Sequence, residues 1–298
     1  MTKLYKDYKE IIKIQMKILT AVVNNPTFIE IQYYTLKKFM STPYEFIVFN
    51  DAKDFPDYTN DGDVTIKTKI IHLCEKLNIQ CINIPNEHHR ADQRDANRCA
   101  DSMNFILEYQ KKNLDKYLLL DSDMFLINHF DIKKYENSVC AVVLQSRFDH
   151  TYNYFWNGIY YFDMTKMENQ HLLNWDCGNA DVGGMMKDWL SSQCNNLPNV
   201  DEIRRSKKDY SRDNIFFIRH LWSCTWNEEE IPIELKHKQW LIDILTKDNR
   251  NQNGNFFCEI YDDVFLHYRA GGNWRKEGVS QHNSSAEAWK VCLMEKDN

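Results

Sequence analysis

Several features that would place this chain in a specialised class are missing from its 298 residues. It has no run of about 18 uncharged apolar residues, so we expect no transmembrane segment. It has no block of Lys and Arg, and its net charge of −6 argues against a general nucleic-acid-binding protein. No internal repeat, low-complexity tract or linker divides it, and we expect a single catalytic domain over residues 1–298.

The cysteine pattern also excludes a class of protein. The nine cysteines are scattered, and none forms a Cys-x-x-Cys pair, which argues against a zinc cluster. Several lie in apolar segments, as buried reduced thiols do. We therefore expect a soluble protein of a reducing, cytoplasmic compartment. The sequence leaves the oligomeric state open.

What the first half does contain is an alternation of strand-like and helix-like segments. Strands are predicted at residues 18–23, 44–49 and 80–84, and each is followed by apolar residues at helical spacing. Such alternation is typical of an α/β fold with a mostly parallel central sheet flanked by helices. Late strands at residues 256–261 and 264–269 predict a small antiparallel or irregular C-terminal part.

The next apolar run, residues 116–120, leads directly into two carboxylates, Asp121 and Asp123. Open α/β sheets bind ligands at the carboxyl ends of their strands. A short Asp-Ser-Asp turn would let both carboxylates reach one point, where their hard oxygens suit Mg²⁺ or Mn²⁺ shared with a phosphate. Asn24, Asp51 and the polar segment 86–98 are expected at the same edge of the sheet.

The order of these features resembles the GT-A glycosyltransferases, nucleotide-sugar enzymes with a Rossmann-like sheet and an Asp-x-Asp metal motif. The resemblance runs over residues 17–276. It implies a nucleotide-binding half at about 17–127 and a half at about 138–276 that completes the metal site and binds the acceptor. It also implies that Asp123 is a direct metal ligand and that Asp121 contacts the metal or the ribose. Further residues implied around the nucleotide sugar are Ala21, Val22 and Asn24 along the nucleoside, Asp51 at the nucleobase, Ser122 in the metal motif, and Arg94, Arg98 and Asp101 near the nucleotide or donor sugar.

Two later segments resemble the glycogenin-like enzymes. Residues 156–163 are similar to their Asn-x-Gly strand, which faces the sugar, although Asn157 and Gly158 are adjacent here. Residues 266–274 are similar to their closing His-x-x-Gly-x-x-Lys segment. This similarity implies that His267 is the third metal ligand, and a neutral imidazole favours Mn²⁺ over Mg²⁺. The same similarity implies a diphosphate-binding loop made of Gly271, Gly272 and Lys276.

The expected function is transfer of a hexose or pentose from a nucleotide-diphosphate sugar, with a UDP-sugar favoured, to a glycan or other hydroxyl acceptor. An inverting enzyme needs a carboxylate base, for which Asp181, near a predicted helix start, is preferred over Asp176. A retaining, glycogenin-like enzyme needs no such base and would leave Asp181 in contact with the sugar. Two further alternatives are a non-catalytic nucleotide-sugar or glycan-binding module and a haloacid-dehalogenase-type phosphatase.

Overall fold

Within its described residues, the first half of the protein forms four strands and three helices in strict alternation. The structure, a computed structural model, describes residues 16–86, 94–148, 150–204, 206, 208–275 and 277–295, so Lys276 lies outside the described residues. The elements of this half are β1 (Met16–Val22), α1 (Pro26–Phe39), β2 (Tyr44–Asn50), α2 (Ile66–Leu77), β3 (Gln80–Asn83), α3 (Asp95–Lys112) and β4 (Lys116–Leu120).

The second half has shorter elements and longer connections. Its strands are β5 (Met124–Leu126), β6 (Cys140–Arg147), β7 (Tyr152–Asp163), β8 (Tyr210–Arg212), β9 (Ile215–Phe217), β10 (His220–Leu221), β11 (Glu259–Tyr261) and β12 (Phe265–His267). Its α-helices are α4 (Lys187–Gln193), α5 (Val200–Arg204), α6 (Gln239–Lys247) and α7 (Val279–Glu295).

The main sheet has eight strands in the order β3-β2-β1-β4-β7-β6-β9-β8. The strands β3, β2, β1 and β4 are parallel to their neighbours, as the alternation predicted. The strand β7 is antiparallel to both β4 and β6. The pairing with β6 follows from the short connection between these two strands, because short connections join antiparallel neighbours. The predicted α/β class with a mainly parallel sheet is confirmed.

A second, smaller sheet contains four antiparallel strands in the order β10-β11-β12-β5. This sheet confirms the predicted antiparallel part. The chain passes from the first sheet to the second within Asp121–Asp123, between β4 and β5. The Asp-x-Asp motif therefore lies at the junction of the two sheets.

Successive residues of the parallel strands face opposite sides of the main sheet. One apolar core joins the sheet to α1 and α2, and another joins it to α3. With both faces covered, the carboxyl ends of β1, β2 and β4 remain as the place where polar groups can meet a ligand. Among the helices that the structure describes, none is both long and apolar enough to cross a membrane.

Candidate metal and nucleotide site

The Asp-Ser-Asp segment forms a tight turn held by hydrogen bonds from three sides. The Met124 N–H donates to the Asp121 carbonyl oxygen at 3.0 Å, which closes the turn. The Asp121 N–H donates to the Gly158 carbonyl oxygen on β7 at 2.7 Å. The Gln32 side-chain amide, from α1, donates to the Asp121 carbonyl oxygen at 2.7 Å. The turn supplies the predicted bend between the two carboxylates.

The pairing of β12 with β5 brings His267 to these carboxylates, because His267 lies opposite Met124 in the ladder. Its Nε2 atom is 3.1 Å from Asp123 Oδ1 and 3.9 Å from Asp121 Oδ2. Candidate ligand atoms of the three residues all lie within 4.8 Å of one another. Two carboxylates and an imidazole form a mixed oxygen and nitrogen donor set that could hold a divalent metal ion.

The charges around this cluster favour a cation. Desolvation, reinforced by the Asp123 carboxylate, raises the pKa of Asp121 to about 6. Burial acts to raise the pKa of Asp123, but the charge of His267 and its hydrogen bond overcome burial and leave that pKa below its ordinary value. Burial acts to lower the pKa of His267, yet the Asp123 and Glu259 carboxylates raise it to about 10. The site concentrates negative charge, which is the environment that a divalent cation needs.

The rear of the His267 ring is fixed by a carboxylate that sequence reasoning missed. Glu259 is 1% exposed, and its Oε2 atom lies 3.0 Å from His267 Nδ1. The same oxygen accepts a hydrogen bond from the Tyr261 hydroxyl at 2.7 Å. A carboxylate behind a ligating histidine fixes the tautomer that points Nε2 at a metal. The only signal in the sequence was an acidic residue inside an apolar strand.

The loop after β12 approaches the motif so closely that it requires glycine. The Gly271 N–H donates to Asp123 Oδ2 at 2.7 Å. A Cβ atom at position 271 would lie 2.6 Å from the Phe28 ring and 2.8 Å from that carboxylate oxygen. The Gly271 amide is therefore engaged by a candidate metal ligand, and Gly272 is the glycine of this pair that lines the adjacent cavity.

A cavity of about 240 Å³ extends from the motif across the carboxyl ends of β4, β1 and β2. The cavity is lined by eight of the predicted residues: Ala21, Asp51, Arg98, Asp121, Ser122, Asp123, Asn157 and Gly272. Other predicted residues lie outside the lining: Val22, Asn24, Arg94, Asp101, Gly158, Asp181, His267 and Gly271. The amide of Asn24 instead joins two loops, because it donates to the carbonyl oxygens of Thr59 and Gly272.

The segment 51–63 carries five Asp residues with Pro56 and Gly62, a composition typical of a polar surface loop, yet it forms one wall of this cavity. Lys53 and Thr59 of the loop are buried and line the cavity. Arg98 Nη1 lies 3.1 Å from Asp57 Oδ2, and the Arg98 guanidinium lies 5.0 Å from the Tyr58 ring centroid. Asp95, which lies in the segment 86–98 expected at this edge, also lines the cavity. Further lining residues that were not predicted are Cys99, Ser102, Met103, Leu119, Leu120, Val23, Ala270 and Asn273. The polar composition of the loop gave no sign that α3 would cover it.

The predicted base, Asp181, lies outside the cavity lining. Asp181 is exposed, and the helix expected at it begins later, with a 3-10 turn at Gly184–Met186 leading into α4. The Val182 N–H donates to Asp181 Oδ1 at 2.8 Å. Desolvation raises the pKa of Cys99, which lines the cavity, and the carboxylates of Asp121, Asp51 and Asp181 raise it further. Asp181 therefore contributes to the electrostatic field at Cys99.

No protein-family model matches this chain, and no curated protein sequence matches it. Among solved structures, it is similar to the apo form of the WbbM bifunctional glycosyltransferase, with a TM-score of 0.35 and 11% identity over 54% of this chain and 34% of that one. It is also similar to the galactosyltransferase LgtC in complex with donor and acceptor sugar analogues, with a TM-score of 0.34 and 13% identity over 51% of this chain and 59% of that one.

An active-site mutant of LgtC gives a TM-score of 0.35 at 13% identity, over 51% of this chain and 58% of the mutant chain. This chain thus spans between 34% and 59% of the length of the three structures. With TM-scores this low, a function for the protein has to be inferred from its own site.

Proposed function

We propose that this protein is a metal-dependent glycosyltransferase that moves a sugar from a nucleotide-diphosphate sugar, preferably a UDP-sugar, to a hydroxyl group of a glycan or related acceptor. The observation that carries the proposal is the Asp121, Asp123 and His267 cluster, two of whose members line a cavity along the carboxyl ends of β4, β1 and β2. Open α/β sheets bind nucleotides at this edge. The acidic cluster is suited to a cation. The cavity along the three strand ends is suited to a nucleoside.

The residues that would hold the metal are Asp121, Asp123 and His267, with Glu259 orienting the histidine. When bound, a divalent cation such as Mn²⁺ neutralises the charge that develops on a leaving diphosphate. Gly271 holds the Asp123 carboxylate in place through its N–H. Asp51, Arg98 and Asn157 line the remainder of the cavity, where nucleoside and sugar would lie.

For the acceptor, we favour an inverting reaction in which Asp181 removes the proton of the acceptor hydroxyl. Asp181 is exposed, so an acceptor can reach it from solvent, and its charge acts on Cys99 in the cavity lining. Asp176 is the rival candidate, and its Oδ1 atom accepts a hydrogen bond from the Asn104 side-chain amide at 2.8 Å, as Asp181 Oδ1 does from the Val182 N–H. Both residues follow Trp175, which is fully buried and anchors this segment in the core.

Ligand-induced thermal stabilisation tests the donor and the metal together. Binding to the native state raises the melting temperature by mass action. We expect a nucleotide-diphosphate sugar to raise it in the presence of Mn²⁺, and EDTA to abolish the shift. Asp123→Asn should lose the shift, whereas the exposed Asp188→Asn should keep it. Absence of a shift with every nucleotide sugar and Mn²⁺ would overturn the proposed function.

Product stereochemistry tests the role of Asp181. Proton NMR of the anomeric signal of the first product should show inversion of configuration. Hydrolysis of the donor in the absence of acceptor would show that the protein is an enzyme and not a binding module. Asp181→Asn should reduce turnover by at least about a hundredfold, as loss of a general base does, and leave donor binding intact. Asp176→Asn is the matched control. Retention of configuration, or near-normal turnover of Asp181→Asn, would exclude Asp181 as the general base.

A further inference from the structure

The wall of the cavity contains a buried lysine that the metal site does not use. Lys53, in the loop after β2, is 1% exposed and lines the cavity. No hydrogen bond or ion pair joins its ammonium group to another residue within the described parts of the chain. Burial that removes most of the water around an ammonium group is unfavourable unless an acceptor replaces that water. A ligand that offers an acceptor at this point would reduce that penalty.

The charges near Lys53 act on the ammonium from a distance. Burial lowers the pKa of Lys53 to about 8, and Arg98 acts in the same direction. The carboxylates of Asp51, Asp57 and Asp95 oppose this effect. Two of these carboxylates have other partners, since Asp51 Oδ2 accepts a hydrogen bond from the Ser102 hydroxyl at 2.6 Å and Asp57 Oδ2 lies 3.1 Å from Arg98 Nη1.

The strand order gives the distance between Lys53 and the metal cluster. In the main sheet, β1 lies between β2, whose following loop carries Lys53, and β4, which ends next to Asp121. Adjacent strands are about 4.8 Å apart, so the two carboxyl ends are separated by roughly 10 Å. A diphosphate held at Asp121 and Asp123 would therefore direct its ribose past β1 and its base toward β2. Lys53 lies at the base end of the cavity.

We propose that Lys53 donates a hydrogen bond to a carbonyl oxygen of the donor's nucleobase and thereby selects uracil or guanine over adenine. This inference rests on the proposed function, because it assumes that the cavity binds a nucleotide. The lysine ammonium is a donor only. Uracil and guanine offer carbonyl oxygens on their base-pairing edges. Adenine has no carbonyl group, and its exocyclic amino group would face the ammonium with a second donor.

Isothermal titration in the presence of Mn²⁺ tests this selection with UDP, GDP, ADP and inorganic pyrophosphate. The wild type should bind UDP or GDP at least about tenfold more tightly than ADP, the difference expected from one hydrogen bond to a charged group. Lys53→Met, which keeps the length of the side chain without the charge, should reduce this preference to about twofold. Its affinity for pyrophosphate should be unchanged.

Two further variants serve as controls. Lys69→Met removes an exposed lysine of α2 that pairs with Asp63. This variant should retain the wild-type preference for UDP or GDP over ADP. Lys53→Arg keeps a positively charged donor and should retain part of the preference, so the inference stays testable if Lys53→Met does not fold.

Three outcomes would overturn the inference. An equal loss of affinity for all four ligands in Lys53→Met would make Lys53 a phosphate-binding residue. An unchanged preference in that variant would remove its role in selection. A wild type that binds UDP, GDP and ADP alike has no selection to explain. If the wild type binds neither nucleotides nor pyrophosphate, the proposed function itself fails and this inference fails with it.

Discussion

At the scale of single residues, the metal cluster depends on a side chain that would not touch the metal. Glu259 holds His267 through Nδ1 and is itself bonded by the Tyr261 hydroxyl and, at 3.2 Å, by the Ser223 N–H. Arg269 Nε lies 3.5 Å from Glu259 Oε1. These contacts leave the carboxylate little freedom, so the imidazole it orients is held in position before any ligand arrives.

We expect Glu259→Gln to weaken Mn²⁺ binding by about 10- to 100-fold, the range found when such supporting groups are removed. The amide keeps the shape of the carboxylate but can present its NH₂ group to Nδ1 and so favour the wrong tautomer. Electron paramagnetic resonance of free Mn²⁺ measures the affinity without any turnover. Glu234→Gln, an exposed residue, is the control. Wild-type affinity in Glu259→Gln would mean that Glu259 serves the fold alone.

Lys53 predicts a dependence of stability on pH. Its pKa falls from an ordinary 10.5 to about 8 on folding, so the unfolded chain binds more protons between these values. The free energy of unfolding should therefore rise as pH increases through this window, relative to a variant without the lysine. Lys53→Met should be more stable than the wild type by about 1–3 kcal/mol at pH 7, since one pKa unit corresponds to about 1.4 kcal/mol. Urea unfolding of both proteins at pH 7.5 and 9.5 measures the difference, which should shrink at the higher pH.

At the scale of elements, the loop between β12 and α7 distinguishes two adjacent glycines. A Cβ at position 271 would meet the Phe28 ring and Asp123, whereas a Cβ at position 272 would meet only Val23 Cγ1, at 3.2 Å. We expect Gly271→Ala to lower stability by about 1–3 kcal/mol through overpacking and to displace Asp123, with a loss of Mn²⁺ affinity. Gly272→Ala should be tolerated with little effect on Mn²⁺. Thermal unfolding with and without Mn²⁺ measures the stability of the two variants and the stabilisation that Mn²⁺ gives each. Equal values for the two variants would contradict a specific role for Gly271.

The sequence allowed the elements of the first half to be predicted because their apolar periodicity is local. The run 116–120 followed by Asp121 and Asp123 indicated a strand end and a metal, and the structure has the strand and the turn there. His267 came from the similarity of residues 266–274 to a family segment. Glu259 could not be predicted, because its contact with His267 depends on the antiparallel register of β11 and β12. Lys53 was missed for a similar reason, since its burial depends on α3 packing over the loop.

At the scale of the whole molecule, the candidate metal site lies where two sheets meet. Asp121 follows a strand of the main sheet, and His267 belongs to the smaller one. Beside the site, the Trp156 ring of β7 stacks on the Tyr261 ring of β11, with centroids 5.1 Å apart and planes 13° apart. The same indole lies 5.3 Å from the His267 ring. Trp156 thus connects the two sheets next to the metal ligands.

Removal of this ring should therefore affect both stability and metal binding. We expect Trp156→Ala to lower the free energy of unfolding by about 3 kcal/mol, at the lower end of the range for buried tryptophan because the side chain is half-buried. Saturating Mn²⁺ at about 100 times its dissociation constant should stabilise the wild type by about 2.7 kcal/mol. At the same Mn²⁺ concentration the variant should gain less, because His267 loses the ring that packs against it.

The matched variant is Trp240→Ala, on α6, whose ring packs in the apolar core behind the smaller sheet. It should lose stability as well, but its gain from Mn²⁺ should equal that of the wild type. Urea unfolding of the wild type and both variants, with and without Mn²⁺, separates the loss of packing from the loss of stabilisation by Mn²⁺. An equal gain in both variants would mean that Trp156 joins the sheets without positioning His267. If only Trp156→Ala loses stabilisation by Mn²⁺, the packing between the two sheets affects the affinity of the metal site.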